Sequence, residues 1–299
     1  MDTVFAGFGL EVIGKCNASC EFCVWGHDKN IKYTNIFTGE EVVRSTGKIS
    51  FELLDEIIDV HQPENITFTG VSEPLLAPDR VFYVADRMEE LGSWFSLYTN
   101  GILLTEEYSR RLLSYKGFRA LHMSLNATDN ETRQKVMGLP LDRSEENYKT
   151  FLRLRKEMGR ESTSRTSCVF MLTPNNRQYE NEFRNRWNKV FSQYDNCNGP
   201  GVYLATNWCG EAIMPGFRLS GEQYCQQWDC TKPTITVDGQ LYLCCYTTKY
   251  TFGHCLDQDA VKNWLGRSEL FGVTREGPSR IPPKHLCGNC SGWRKLTWY

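Results

Sequence analysis

Cys16, Cys20 and Cys23 follow the apolar run Phe8 to Ile13 and stand four and three residues apart. Three thiols at that spacing on one short loop can reach a single metal centre. A [4Fe-4S] cluster held by only three thiolates keeps one iron open to an outside ligand, because cluster irons in proteins are held by cysteine thiolates. That open iron is where chemistry can happen. A structural zinc site is the alternative, but it asks for four ligands, commonly in paired Cys-x-x-Cys halves. Only His27 lies close enough in the chain to be a fourth. Three buried thiols with no metal are the other alternative, since free cysteine is among the most buried residue types.

A second thiol set lies near the C-terminus. From about Gly216 the chain turns rich in glycine, aromatics and cysteine, with little helical periodicity. Cys225 leads to the strand-like Thr234-Ile235-Thr236-Val237, then Asp238-Gly239, a hairpin signal, and a return strand Gln240 to Leu243 ending at Cys244-Cys245. Cys287-Gly288-Asn289-Cys290 follows. A hairpin-borne cysteine pair and a Cys-x-x-Cys knuckle can close four thiolates around one centre, a zinc ribbon or an iron-sulfur cluster. Thirteen cysteines, an odd number, without a basic start or secretion signal argue for metal or redox work over a disulfide framework.

The elements that must position these groups alternate. Strand-like Gly7 to Ile13 runs into the Cys16 loop, and Ser50 opens a helix whose Leu53, Leu54, Ile57 and Ile58 share a face. Asn65 to Thr69 is a second strand, entering Gly70-Val71-Ser72-Glu73, followed by a helix from about Val81 to Leu91. The pattern repeats through Phe95 to Tyr98 into Asn100, Ala120 to Ser124 into Asn126, Ser167 to Leu172 into Asn175, and Gly201 to Ala205, with helices at Thr105 to Tyr115, Ser144 to Met158 and Gln178 to Val190. Alternating strands and helices imply parallel βαβ units. Six units predict an α/β fold, a partial (β/α)6 TIM-type barrel, and in a parallel barrel the loops after the strands gather at one reactive end. Trp25 to Ser45 reads as a polar, irregular lid or substrate loop.

At 299 residues the chain is long enough for this barrel and an appendage, predicted as residues 1–215 and 216–299. Net charge is −2 and the basic residues are dispersed, so nothing marks a nucleic-acid or anionic-membrane partner. No apolar run approaches a membrane span, and a cytoplasmic protein is expected.

The pattern C-x-x-x-C-x-aromatic-C formed by Cys16, Cys20, Phe22 and Cys23 resembles the signature of the radical S-adenosylmethionine (SAM) superfamily. The resemblance implies a [4Fe-4S] cluster on those three cysteines, SAM chelating the open iron, and a 5′-deoxyadenosyl radical that takes a hydrogen atom from substrate. Gly70 and Glu73 resemble that family's glycine-rich motif for the SAM amino group, with Ser72 in place of a glycine. Ser124 and Asn126 look like its ribose-contacting pair, and Phe22 like the residue whose backbone meets adenine. For Asn100 and Asn175 ordinary turn chemistry is the preferred reading.

The C-terminal thiols resemble the twitch form of the SPASM extension of these enzymes. That implies a second [4Fe-4S] cluster on Cys225, Cys244, Cys287 and Cys290, with Cys230 the rival of Cys225. Cys245 is the candidate hydrogen-atom donor, Cys255 and Cys209 are reserves, and most of the six spare thiols, which also include Cys168, Cys197 and Cys230, are expected to be buried. Twitch-bearing relatives include aminocyclitol dehydrogenases and aminoglycoside epimerases of antibiotic biosynthesis, so a small sugar-like substrate and a flavodoxin- or ferredoxin-type electron donor are implied. The alternatives are maturation of a ribosomal peptide, which the mere fifteen residues before Cys16 weaken, and a non-catalytic zinc or iron-sulfur binding protein.

Overall fold

Six parallel strands supply the frame. A computed structural model describes residues 4–205, 217–222, 232–244, 247–276, 279–281 and 294–298. In chain order its elements are β1 (Gly7–Leu10), α1 (Val24–His27), β2 (Lys32–Asn35), β3 (Glu41–Val43), α2 (Phe51–His61), β4 (Asn65–Phe68), α3 (Pro78–Glu90), β5 (Trp94–Thr99), α4 (Glu106–Ser114), β6 (Phe118–Ser124), α5 (Asn130–Met137), α6 (Asp142–Glu157), β7 (Arg165–Leu172), α7 (Glu180–Phe191) and β8 (Gly201–Leu204). There follow β9 (Phe217–Glu222), β10 (Thr234–Ile235), β11 (Gln240–Cys244), β12 (Thr247–His254), α8 (Gln258–Leu265), α9 (Arg267–Leu270), β13 (Thr274–Glu276), β14 (Ser279–Ile281) and β15 (Arg294–Trp298).

β1, β4, β5, β6, β7 and β8 pair side by side in chain order, all parallel, as the βαβ pattern requires. The order is that expected of a partial (β/α)6 barrel. Strand alternation divides the side chains. Phe8 and Leu10, Ile66 and Phe68, Phe95 and Leu97, Leu121 and Met123, and Cys168 and Phe170 enter one apolar core with the buried faces of the helices. The alternate residues are mostly polar, and several of them line cavities.

Local chemistry sets the helix ends. Ser50 Oγ accepts from Leu53 N at 3.0 Å to start α2, Thr105 Oγ1 from Tyr108 N at 3.2 Å to start α4, and Asp129 Oδ1 from Thr132 N at 2.8 Å to start α5. Side-chain oxygens at this position satisfy amides that have no partner within the helix.

Beyond β1 the sheet continues. β10 pairs parallel with β1, β11 and β12 add antiparallel, and β2 and β3 complete the edge. This corrects the reading of Trp25 to Ser45 as an irregular lid. The segment forms the β2–β3 hairpin, pinned by completely buried Tyr33, whose hydroxyl donates to Asp238 Oδ2 at 2.5 Å. The predicted turn at Asp238-Gly239 is present, with Gly239 at φ +78° and its N–H bonded to Thr236 O at 3.0 Å. Among the described residues no helix is long and apolar enough to cross a membrane.

Candidate active site

The loop after β1 is knitted from its own backbone. Cys23 N donates to Cys20 O at 3.1 Å, Gly26 N to Cys23 O at 2.9 Å, and Trp25 Nε1 to Cys16 O at 3.2 Å. A side chain at Gly26 would collide with Cys20 O, so glycine lets α1 fold back onto the loop. His27 turns away, its Nε2 bonded to Glu21 O at 2.6 Å.

Support from below comes from α5, which the sequence reading missed because its face is only weakly apolar. Met137 O and Val136 O, at its C-terminal end, accept from Ser19 N at 2.9 Å and Glu21 N at 3.0 Å. Ala18, Val136, Met137 and Leu139 form a small apolar cluster that Cys16, Cys20 and Phe22 pack against. Arg133 of α5 is wholly buried and donates to Leu125 O at 2.7 Å and Asn100 O at 2.8 Å, joining the ends of β5 and β6.

Glu73 is carried to the cysteine loop by a backbone bond, Glu73 N to Lys15 O at 3.0 Å. Its carboxylate accepts from Thr99 Oγ1 at 2.7 Å, Asn100 N at 2.8 Å and Leu75 N at 3.2 Å. Burial raises its pKa, opposed by those hydrogen bonds. Asn100, read from sequence as a turn residue, also donates from Nδ2 to Asn17 Oδ1 at 2.7 Å, and so ties the end of β5 to the cysteine loop.

Gly70 serves Glu11. At φ +114° it adopts a conformation that side-chain-bearing residues avoid, and a Cβ there would lie 2.2 Å from Glu11 Oε1. Glu11 and Arg44, both buried, form a two-pronged ion pair, Nε at 3.1 Å and Nη2 at 2.9 Å from Oε2. The other oxygen accepts from Val71 N at 2.8 Å, and Arg44 Nη1 donates to Gly14 O at 2.7 Å. One buried pair therefore clamps the strand entering the cysteine loop to the glycine loop and to β3. Gly70→Ala is expected to cost more than about 1 kcal/mol of stability, read as a lowered midpoint in urea. A midpoint equal to the parent's would mean that Glu11 can move aside.

These parts border one cavity of about 260 Å³. Cys16, Cys20, Cys23, Phe22, Gly70, Glu73, Ser124 and Asn126 all line it, so every candidate of the barrel half meets in one place. Asn100 lines it too, while Asn175 donates to Glu21 Oε2 at 2.6 Å outside it. Asn126 is left-handed at φ +58°; its Oδ1 accepts from Met171 N at 2.7 Å, and its Nδ2 donates to the weak acceptor Met137 Sδ. Ser72 adds a buried hydroxyl with no partner among the described residues.

Burial pushes the Cys16 thiol up to about 12, helped by the Glu73 carboxylate, and raises Cys20 and Cys23 as well. Such thiols hold their protons until a metal replaces them. Among the described residues no three His, Cys, Asp or Glu side chains are grouped around a single ion. Three soft sulfur donors on one cavity, with the Ser72 hydroxyl and the Glu73 carboxylate beside them, fit a thiolate-bound cluster and an amine-bearing ligand.

Cys225, Cys230, Cys245, Cys209, Cys287 and Cys290 lie outside the described residues. Cys244 ends β11 and is half-buried. Cys168 and Cys255 are fully buried in the main core as expected of spare thiols, which removes Cys255 as a reserve donor; Cys197 is half-exposed.

A family model described as Radical SAM superfamily matches residues 10–182, more than half of the chain. The fold is similar to that of native anSMEcpe with bound AdoMet and Cp18Cys peptide, at 15% identity and TM-score 0.56 over 94% of this chain and 87% of that one. It is also similar to SuiB of Streptococcus suis bound to S-adenosylmethionine, at 16% identity and TM-score 0.54 over 96% and 71%. The same SuiB bound to precursor peptide SuiA matches at 16% identity and TM-score 0.51 over 96% and 70%. No curated protein matches.

Proposed function

The chain belongs to the radical SAM superfamily, an enzyme family that works with a [4Fe-4S] cluster and SAM, and on that premise we propose that it abstracts a hydrogen atom from a carbinol C–H of a small sugar-like substrate. The observation that carries this reading is the meeting of Cys16, Cys20, Cys23 and Glu73 on one cavity at the loop end of parallel strands. When bound, the cluster supplies one electron for cleavage of SAM, and the adenosyl fragment supplies the hydrogen-abstracting radical.

Cys16, Cys20 and Cys23 would hold the cluster. Glu73, already fixed by three donors, would accept from the ammonium of SAM, and Ser124 would meet the ribose hydroxyls together with the amide of Asn126. Glycine at position 70 leaves Glu11 where it is, and so keeps Val71 and Ser72 at the cavity wall. The apolar packing of Ala18, Phe22 and Met137 would keep water from the cluster side. Toward substrate the wall carries Thr69 and Tyr98, whose hydroxyls suit a polyhydroxylated or aminocyclitol molecule.

Residues 216–299 are read as a twitch-like region with a second [4Fe-4S] cluster on Cys225, Cys244, Cys287 and Cys290, Cys230 being the rival of Cys225. Cys245 would return hydrogen to give an epimer. Without that return, the carbinol radical would lose its hydroxyl proton and one electron to become a ketone, and a cluster held by those four cysteines would supply the electron acceptor. A flavodoxin- or ferredoxin-type protein would supply the reducing electron.

A second reading, modification of a peptide, is favoured by the anSMEcpe and SuiB structures, whose bound molecules include peptides. Reaction of reduced enzyme and SAM with amino sugars, aminocyclitols and short peptides in D2O separates the outcomes. A gain of about one mass unit marks return of a solvent-exchangeable thiol hydrogen, and a loss of about two marks oxidation. Turnover of peptides alone would overturn the sugar assignment.

A further inference from the structure

We propose that the opposite end of the parallel strands holds a second ligand site, built for a small phosphate ester with a flat ring and gripped by Arg119 and Arg165. A separate cavity of about 760 Å³ opens there, bordered by Trp94, Ser96, Tyr98, Arg119, His122 and Arg165 among others. Of these only Tyr98 also lines the cysteine cavity.

The strand register turns an arginine toward this space. Phe95 pairs with Phe118 and Ser96 with Ala120, so Arg119 is an extra residue in β6, a β-bulge. Bulges re-aim a side chain at barrel rims and beside binding sites. Arg165 begins β7 as the direct partner of Ala120, which places the second guanidinium on the adjoining strand.

Neither arginine has a hydrogen bond or ion pair through its side chain among the described residues. Arg119 instead repels Arg160, whose guanidinium donates to Tyr115 O at 2.7 Å. The nearby carboxylate of Glu89 is committed to Lys116 N at 3.3 Å and Gly117 N at 3.1 Å. Two guanidiniums that border one cavity without a partner among the described residues suit an anion, and the planar fork of arginine suits phosphate in particular.

The remaining wall is aromatic. Tyr98 and His122 are stacked with centroids 4.3 Å apart at 19°, and His122 Nδ1 is fixed by Ser167 Oγ at 2.8 Å. Trp94 offers a second flat face, with Lys232 over it at 5.4 Å. Flat aromatic faces beside guanidiniums favour a ring attached to the anion. Chemistry in parallel barrels occurs at the other end, so this site is separate from the proposed reaction except at Tyr98, which borders both cavities.

Titration calorimetry of the cluster-loaded enzyme with phenyl phosphate tests it, with inorganic phosphate as the ringless probe. Saturable binding of one phenyl phosphate is expected, unaffected by saturating SAM. Arg119→Ala and Arg165→Ala should each weaken it about tenfold or more. Both positions are exposed, so the variants should melt at the parent temperature. Trp94→Ala should weaken phenyl phosphate and leave inorganic phosphate unchanged. Absence of saturable binding, arginine variants that bind like the parent, or displacement by SAM would each overturn the site. Inorganic phosphate binding as tightly as phenyl phosphate would overturn the ring.

Discussion

Cys16→Ala, Cys20→Ala and Cys23→Ala are each expected to lower reductive SAM cleavage by about 10³-fold or more, equivalent to about 4 kcal/mol of barrier. The three thiols line one cavity but hang from different turns of the loop, so no neighbour can replace a lost one. Cys16 lies beside Asn17 and Glu73, Cys20 bonds through its carbonyl to Cys23 N, and Cys23 through its carbonyl to Gly26 N. The measurement is 5′-deoxyadenosine formed anaerobically with dithionite. Iron analysis of the triple variant adds a separate reading, because a second cluster in the C-terminal region would leave about four irons. Parent-like cleavage by any single variant would dismantle the cluster assignment. Loss of all iron from a folded triple variant would count against the second cluster alone.

Arg44→Met should destabilise the protein by about 3–5 kcal/mol, the cost of leaving a buried carboxylate without its cation. Arg44 Nε and Nη2 both meet Glu11 Oε2, and the two side chains are 1% and 0% exposed. Adding Glu11→Gln should restore part of the loss, because the neutral amide still offers an oxygen to Val71 N without a buried charge. Urea unfolding of parent, single and double variants measures the coupling. A single-variant cost below about 1 kcal/mol would show that water reaches Glu11. Because the pair joins β1, β3 and the glycine loop, the Arg44 variant should also load less iron than the parent.

Much of the barrel was legible because its signals are local. Alternation of apolar residues in Phe8–Leu10, Ile66–Phe68 and Phe95–Leu97 follows from the strand period, and Ser50 and Thr105 mark helix starts with their own side chains. Gly70 and Glu73 were found by their resemblance to the family's glycine-rich motif, supported by their place after a strand. The β2–β3 hairpin was missed since its stabilising partners, Thr251 across the sheet and Asp238 against Tyr33, lie some two hundred residues away. Arg133 and Glu11 were missed for a related reason. A charged residue inside an element reads as solvent-facing until its partners are known.

By itself the sequence determined the parallel α/β order, the family and the residues that reach the reactive end, since each follows from neighbours within a few positions or from one short motif. Tertiary structure alone decided what holds those residues: the Glu11–Arg44 clamp, Arg133 beneath the loops and Asn100 bridging to Asn17. Those depend on side chains far apart in the chain becoming buried together, where an unpaired charge or amide is costly and pairing follows from the fold's geometry.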